Sequence, residues 1–332
     1  MAQEDAAVPP NAKLTDSWTN LQDDYELRNV VKFQDAEQGS DIFLGENDRI
    51  TVPDDLPPPI PGPTRRRKIL LYIGLVIAVL DLCIMPIVYY YSLTFGTSLK
   101  EQTVLLVITL LYCMMTFGHF THRCVRLTFK CSDRYGPIGW QRKWRLLEFT
   151  NANFVICASI FEINLIIGMA PEDPLLRICT LPSAIICYYI GILFLVTSTL
   201  THFRVSLPFD MSSTPRGAPF RPALLAIIED SASIEARGEL TARLAVMKRY
   251  ESSHLFRKMI ERLSWFWGVG CIVIAIITTI LIFSLEEKVA FGVGWGLPYI
   301  LVTILVLVST VFVKASLKEE RRVWRSNLRI TN

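Results

Sequence analysis

The chain is poorest in basic residues where its apolar runs are longest. Six runs approach or exceed the roughly 20 residues that a helix needs to cross a hydrocarbon core about 30 Å thick. They are Ile69–Leu93, Thr103–Phe120, Phe149–Ala170, Leu175–Leu200, Trp265–Leu285 and Phe291–Val313. The second is the shortest. No Lys or Arg falls within them except Arg177, at the third position of the fourth run. That pattern excludes an ordinary soluble fold, and the continuous rather than alternating apolarity excludes a membrane β-barrel. Histidine is scarce, with four in 332 residues, which excludes a multi-histidine di-iron centre. There is no Asn-x-Ser/Thr sequon, no GxxxxGK[ST], no GxGxxG, no DDxxD and no GxSxG. Phosphate loops, dinucleotide fingerprints, prenyl diphosphate sites and nucleophile elbows are therefore missing. Six of the eight cysteines lie in the runs, and Cys124 and Cys131 fall in a connection expected to be reduced, so there is no disulfide framework.

What is present is a sharp asymmetry of charge. Of the 34 Lys and Arg, 31 lie in the N-terminal tail, the second and fourth connections and the C-terminal tail; the others are Lys100, Arg177 and Lys288. Basic flanks stay on the cytosolic side of a membrane. Arg65, Arg66, Arg67 and Lys68 therefore place the N-terminus in the cytosol. The connection 121–148 carries seven basic residues against two acids, and 201–264 carries ten against seven; both are expected in the cytosol. Six spans return the tail with Lys314, Lys318, Arg321, Arg322, Arg325 and Arg329 to the same side. The expected fold is an all-α membrane protein: a six-helix transmembrane bundle over residues 65–313, with cytosolic amphipathic helices, a disordered tail and a basic tail over 314–332. A cleavable signal peptide is not expected, because the first run is too long for a signal core, and the first span acts as the insertion signal.

Residues 1–64 hold thirteen acids against four bases and end in a proline-rich stretch from Pro53 to Pro63. Such a segment cannot bury enough apolar surface to fold alone and ends as a polyproline spacer. Pro58-Pro59-Ile60-Pro61 fits the PxxP pattern, and Trp18, Leu21, Tyr25 and Leu27–Val31 form an apolar cluster, so the tail is a candidate docking segment for a protein partner. In the fourth connection, four prolines precede a helix beginning near Pro222 and ending in Glu229-Asp230. A second helix presents Leu240, Leu244 and Met247 on one face, with Glu239 and Arg243 as a surface pair four residues apart. A third is capped by Ser252 or Ser253 and presents Phe256, Met259, Ile260 and Leu263. Lys248, Arg249, Arg257, Lys258 and Arg262 are either a solvated, topology-setting face or a surface for anionic lipid headgroups or a partner. Trp140 and Trp144, among Arg142, Lys143 and Arg145, suit the headgroup level, and nucleic acid is not an expected partner.

Two carboxylates lie near the middle of spans, Asp81 in the first and Glu162 in the third. With no basic counter-ion inside the spans beyond Arg177 at one end of the fourth, each is protonated, shares a proton, bonds to groups such as Asn153, Asn164, Tyr188 or Tyr189, or holds a cation. Three roles stay open for them: a helix-tying hydrogen-bonded pair, a proton or cation relay, and general-acid catalysis. Pro86 removes a helical hydrogen bond near Asp81. His119, His122 and His202 gather at the cytosolic end of the second and fourth spans and are the weak candidates for a metal site; no cofactor is expected.

The strings Leu80-Asp81-Leu82-Cys83, Pro86-Ile87-Val88-Tyr89-Tyr90-Tyr91, Ile227-Ile228-Glu229-Asp230, Arg249-Tyr250-Glu251-Ser252-Ser253 and Leu255-Phe256-Arg257 resemble an uncharacterised family of multi-pass membrane proteins of filamentous fungi. Members carry a Gly-rich turn after the Glu-Asp pair, where this chain has Ser231 to Gly238. The resemblance covers about residues 65–325 and implies no activity, substrate or catalytic residue. Three function classes remain: a transport-related or membrane-organising component, an intramembrane enzyme acting on a lipid or isoprenoid with Asp81 or Glu162 as acid, and a cytosol-facing interaction scaffold.

Overall fold

The computed structural model describes residues 64–128, 135–137, 148–234 and 239–331; the N-terminal tail readings and the Trp140–Trp144 segment lie outside them. The described residues are helical apart from short connections and the loop 203–222. In chain order they form α1 (Arg65–Val79), α2 (Met85–Gly96), α3 (Glu101–Thr128), α4 (Phe149–Met169), α5 (Leu176–Thr180), α6 (Pro182–His202), α7 (Ala223–Ile234), α8 (Glu239–Ser252), α9 (His254–Ser284) and α10 (Glu287–Thr331). Among the described residues five helices are long and apolar enough to cross a membrane: Glu101–Val125, Phe149–Met169, Pro182–His202, His254–Ser284 and Glu287–Trp324. The run expected as the first span is not one α-helix. A π-helical turn, Leu80–Ile84, joins α1 to α2 directly ahead of Pro86. Proline has no N–H to return to the preceding turn, and a π-turn absorbs the missing bond.

Besides a cluster of Cys187, Ile274 and Ala275 midway along the bundle, the elements meet at two opposite ends. At one, Tyr90 and Phe291 stack with ring centroids 4.1 Å apart, and Phe161 meets Trp295 edge-on at 5.4 Å. Val104, Leu105, Leu165, Leu176 and Cys179 close this core. The Tyr90 hydroxyl donates to Glu101 at 2.8 Å and the Tyr91 hydroxyl to the Lys288 carbonyl at 2.6 Å. Arg177 belongs here too. Its guanidinium donates to the Ile282 and Leu285 carbonyls at 2.7 and 3.2 Å, so the one basic residue in an apolar run serves the carbonyl end of α9, where positive charge is favoured.

At the other end, α7, α8 and the loop after α6 form a cap on the bundle. Leu225, Val246, Met247, Phe256, Met259 and Ile260 share a core that Phe312, Val313 and Leu317 of α10 complete. Leu207, Met211, Phe220 and Ala226 make a smaller one. Among the described residues, the loop after α6, α7, α8 and the basic part of α10 thus share one end, and the short acidic connections lie at the other. Ser253 caps α9, accepting from the Phe256 amide at 3.2 Å, and Phe256, Met259, Ile260 and Leu263 are buried as their spacing predicts. α7 does not stop at Glu229-Asp230 but runs on to Ile234, because both acids turn inward.

Between apolar helices in lipid, close backbone approach replaces the hydrophobic drive. Gly191 and Gly268 bring α6 against α9: a Cβ on Gly191 would lie 2.8 Å from Ile272 Cγ1 and 3.0 Å from the Gly268 carbonyl. Gly294 is tighter still, its absent Cβ falling 2.2 Å from Thr180 Cγ2 and 2.9 Å from the Thr180 carbonyl. The Ser183 hydroxyl donates to the Gly294 carbonyl at 2.5 Å. A Cβ on Gly296 meets only Ile87 Cδ1, at 3.4 Å. Gly294→Ala should therefore cost about 1–3 kcal/mol by overpacking and lower the thermal midpoint of detergent-solubilised protein. Gly296→Ala, two residues away, should leave it nearly unchanged; equal midpoints for the two variants would refute the close-packing account.

Candidate functional site

The most highly organised polar site lies at the base of the bundle and centres on Arg243 of α8. Its side chain is 0% exposed. A guanidinium has five N–H donors, and here every one is taken. Nε and one Nη2 proton go to the Tyr135 carbonyl at 3.1 and 2.9 Å, and the other Nη2 proton goes to Glu148 Oε2 at 2.8 Å. The two Nη1 protons go to Glu229 Oε1 at 2.8 Å and Asp230 Oδ1 at 2.5 Å. Arg123, near the end of α3, pairs with the other oxygen of Glu148. α3, the chain before α4, α7 and α8 therefore converge on one charge cluster.

The acids are anchored in turn. Ser213 donates to Glu229, and Ser212 donates to both oxygens of Asp230 at 2.9 and 2.8 Å. Ser212 sits in the left-handed region, φ 47°, a conformation that costs a non-glycine residue free energy and that its hydroxyl bond helps to hold. Asp230 Oδ2 also accepts from the Thr150 amide at 3.0 Å and its hydroxyl at 2.7 Å. Glu148, at the N-cap position of α4, makes no side-chain cap, so a carboxylate from α7 caps α4 instead and meets the positive end of its dipole. Ser233 adds a bond to the Tyr135 carbonyl at 3.1 Å.

Three buried carboxyl groups face two guanidiniums, of which Arg243 is buried and Arg123 partly so. Burial, reinforced by the neighbouring Asp230 charge, pushes Glu148 up to about 8 against the pull of Arg123 and Arg243. Burial also raises Glu229, opposed by Arg243 and Ser213. Burial alone would disfavour the Arg243 charge, but Asp230, Glu229 and Glu148 outweigh it and hold the guanidinium protonated. The arrangement can clamp chain segments together and exchange a proton near neutral pH.

A second buried pair ties the cap to α10. Arg249 bonds to Glu320, which also accepts from the Ser253 hydroxyl at 2.6 Å, and Arg249 lies 5.1 Å over the Phe256 ring. This corrects two expectations. Arg243 is buried and not on the surface, and Arg249 leaves the lipid-facing set. On α8, Arg243 shares a helical face with Val246 and Met247, all buried, so the period that marks the core stripe contains the arginine.

Of the sequence candidates, Glu162 is half-buried on α4. Its Oε2 accepts from the Cys113 thiol of α3 at 2.7 Å, while Oε1, buried, has no hydrogen-bond partner among the described residues. Asn153 and Tyr189 do not serve it. The Tyr189 hydroxyl donates to Asn153 Oδ1 at 2.6 Å, and the Asn153 amide donates to the Phe149 carbonyl at 2.7 Å. Nine residues along a helix separate Asn153 from Glu162 by about 13.5 Å, beyond a hydrogen bond. His202 is exposed, 3.8 Å from Glu261. The side chains of Asp81, His119 and His122 lie outside the described residues. Among the described residues no group of three His, Cys, Asp or Glu could hold a metal ion.

A family model described as a domain of unknown function, DUF8766, matches residues 46–324. The chain belongs to that family. No curated protein and no solved structure matches it. The match spans both ion clusters, and the strings that carry the resemblance contain Glu229, Asp230, Arg249 and Ser253.

Glu148 sets the sign of a pH effect. Its folded value, about 8, lies above its ordinary 4.5, so its contribution to stability is fully present below 4.5 and is lost as pH rises through about 8. The thermal midpoint of the purified protein should fall as pH is raised from about 6 to about 9, and Glu148→Gln should flatten that slope. An unchanged slope in the variant would remove Glu148 as its source. Arg243→Met, which strands the acids without their shared counter-ion, should cost about 3–5 kcal/mol, measured as a lowered midpoint.

Proposed function

We propose that this chain is a six-span integral membrane protein with both ends in the cytosol, acting as a membrane-organising component that holds a rigid helical cap against the inner face of the bilayer. In this reading the α1–π–α2 segment is the first span, broken at Pro86. Support comes from the alternation of basic connections with acidic ones and from their separation to opposite ends of the bundle. The observation that carries the organising role is the Arg243 cluster. Arg243, Glu148, Glu229 and Asp230 form a permanent clamp, so the cap moves with the bundle as one piece and keeps a fixed surface at the membrane.

A second reading is transport-related, with Glu162 as a proton or cation site. The Oε1 of Glu162, without a hydrogen-bond partner among the described residues, beside the Cys113 thiol favours it, since ionisable side chains within membrane spans mark ion and proton pathways.

Topology is tested by cysteine accessibility on a background without reactive native cysteines. A cysteine at Glu286 should label only from the non-cytosolic side and one at Arg322 only from the cytosol; labelling of the Glu286 site from the cytosol would overturn the scheme. In proteoliposomes loaded with a pH-sensitive dye, the transport reading expects a proton flux that Glu162→Gln reduces at least tenfold. Equal flux in wild type and variant would leave the organising reading alone.

A further inference from the structure

We propose that the rim of the cap, where the loop after α6 meets the start of α9, is a binding surface for anionic phospholipid headgroups. This rests on the six-span reading, which sets the rim at the inner leaflet. His202 Nδ1 and Glu261 Oε1 lie 3.8 Å apart and bring the end of α6 beside the first turns of α9. Phe203 and Arg204 follow His202 directly, and Arg262 follows Glu261; all three are exposed. Phe203 is 71% exposed and Phe209 52%. Arg204 is fixed rather than trailing: its backbone is left-handed, φ 52°, and its amide donates to the Thr201 carbonyl at 3.1 Å. Arg257 and Lys258 are also exposed, and Trp265 and Phe266 lie one helical turn further toward the bundle.

The fold preserves the basic excess of this end. Glu148, Glu229, Asp230 and Glu320 are buried, four acids against the two buried arginines Arg243 and Arg249. Within the 201–264 connection the withdrawal is even, Glu229 and Asp230 against Arg243 and Arg249, so the excess of ten basic residues over seven acids is not spent in the core. Exposed aromatics interleaved with basic residues, continuous with the apolar outer faces of α6 and α9, match a leaflet whose acyl chains meet the rings and whose anionic headgroups meet the guanidiniums. A soluble acidic partner would use the charges but not Phe203 and Phe209.

The test uses full-length protein in a neutral detergent, with unfolding on heating followed by a thiol-reactive dye on the buried cysteines. Phosphatidylserine, phosphatidylcholine or inorganic phosphate is added. Phosphatidylserine should raise the midpoint several degrees more than phosphatidylcholine, and the excess should shrink at high salt. Arg204→Gln and Arg262→Gln, separately and with Arg257→Gln, should keep the midpoint seen in phosphatidylcholine and lose at least half of the excess. The same rise with both lipids, or an excess retained in the triple variant, would overturn the proposal. A rise reproduced by inorganic phosphate alone would assign the site to a free anion and overturn it as well. Should the triple variant not fold, the two single variants decide. This readout is independent of the side on which the Glu286 site labels, so failure of the topology and failure of the lipid site are told apart.

Discussion

A guanidinium cut off from water must find an acceptor for each of its five N–H groups, or the buried charge costs several kcal/mol. At Arg243 that demand is met by four acceptor residues on three chain segments, and most of the cap is arranged around meeting it. Glu148 fixes the chain leading into α4, Asp230 and Glu229 fix the inward face of α7, and the Tyr135 carbonyl draws in part of the connection between α3 and α4. The acids then impose demands of their own, which Ser212, Ser213, Thr150 and Arg123 satisfy. A network in which every member is satisfied stiffens a structure; one left half-satisfied weakens it. Here the central charge is fully bonded, and the excess of carboxyl over guanidinium is relieved by a proton.

The bundle solves a different problem. In the proposed membrane setting, helices whose outer faces are as apolar as lipid gain little from mutual burial, so fit decides their association. Glycines at the α6–α9 crossing and at the α5–α10 contact let backbones approach to distances that a methyl group would prevent. Aromatic stacking among Tyr90, Phe291, Tyr112, Phe161 and Trp295 fills one end. Arg177 shows the same economy as Arg243. The cation appears where carbonyls without helical partners need a donor, at the end of α9.

Apolar run length and charge sorting could be read directly, because each depends on composition over a window rather than on any single contact. The Ser253 cap and the Phe256–Leu263 face were legible for a related reason: caps and helical stripes are local. Glu162 was picked out by its position in an apolar run, but its partner was not, since Cys113 belongs to a different helix and a thiol does not stand out among apolar residues. Charge marks Arg243 and Arg249 as surface residues in the sequence, whereas in the fold both lie on the buried side of α8. The four carboxylates that receive them lie 14, 13, 95 and 71 residues away, and no local pattern announces such pairings.

The sequence by itself determined that this is a helical protein with membrane-length apolar segments and alternating basic connections, since bilayer thickness and the cost of charge in hydrocarbon act on each segment separately. Only the tertiary structure decided that the first apolar run breaks at a π-turn, that α9 and α10 run unbroken from bundle into cap, and that the acids of the loop turn inward around arginines. Those outcomes depend on which segments meet, and a buried charge can be tolerated only where the partners that neutralise it have already been brought together.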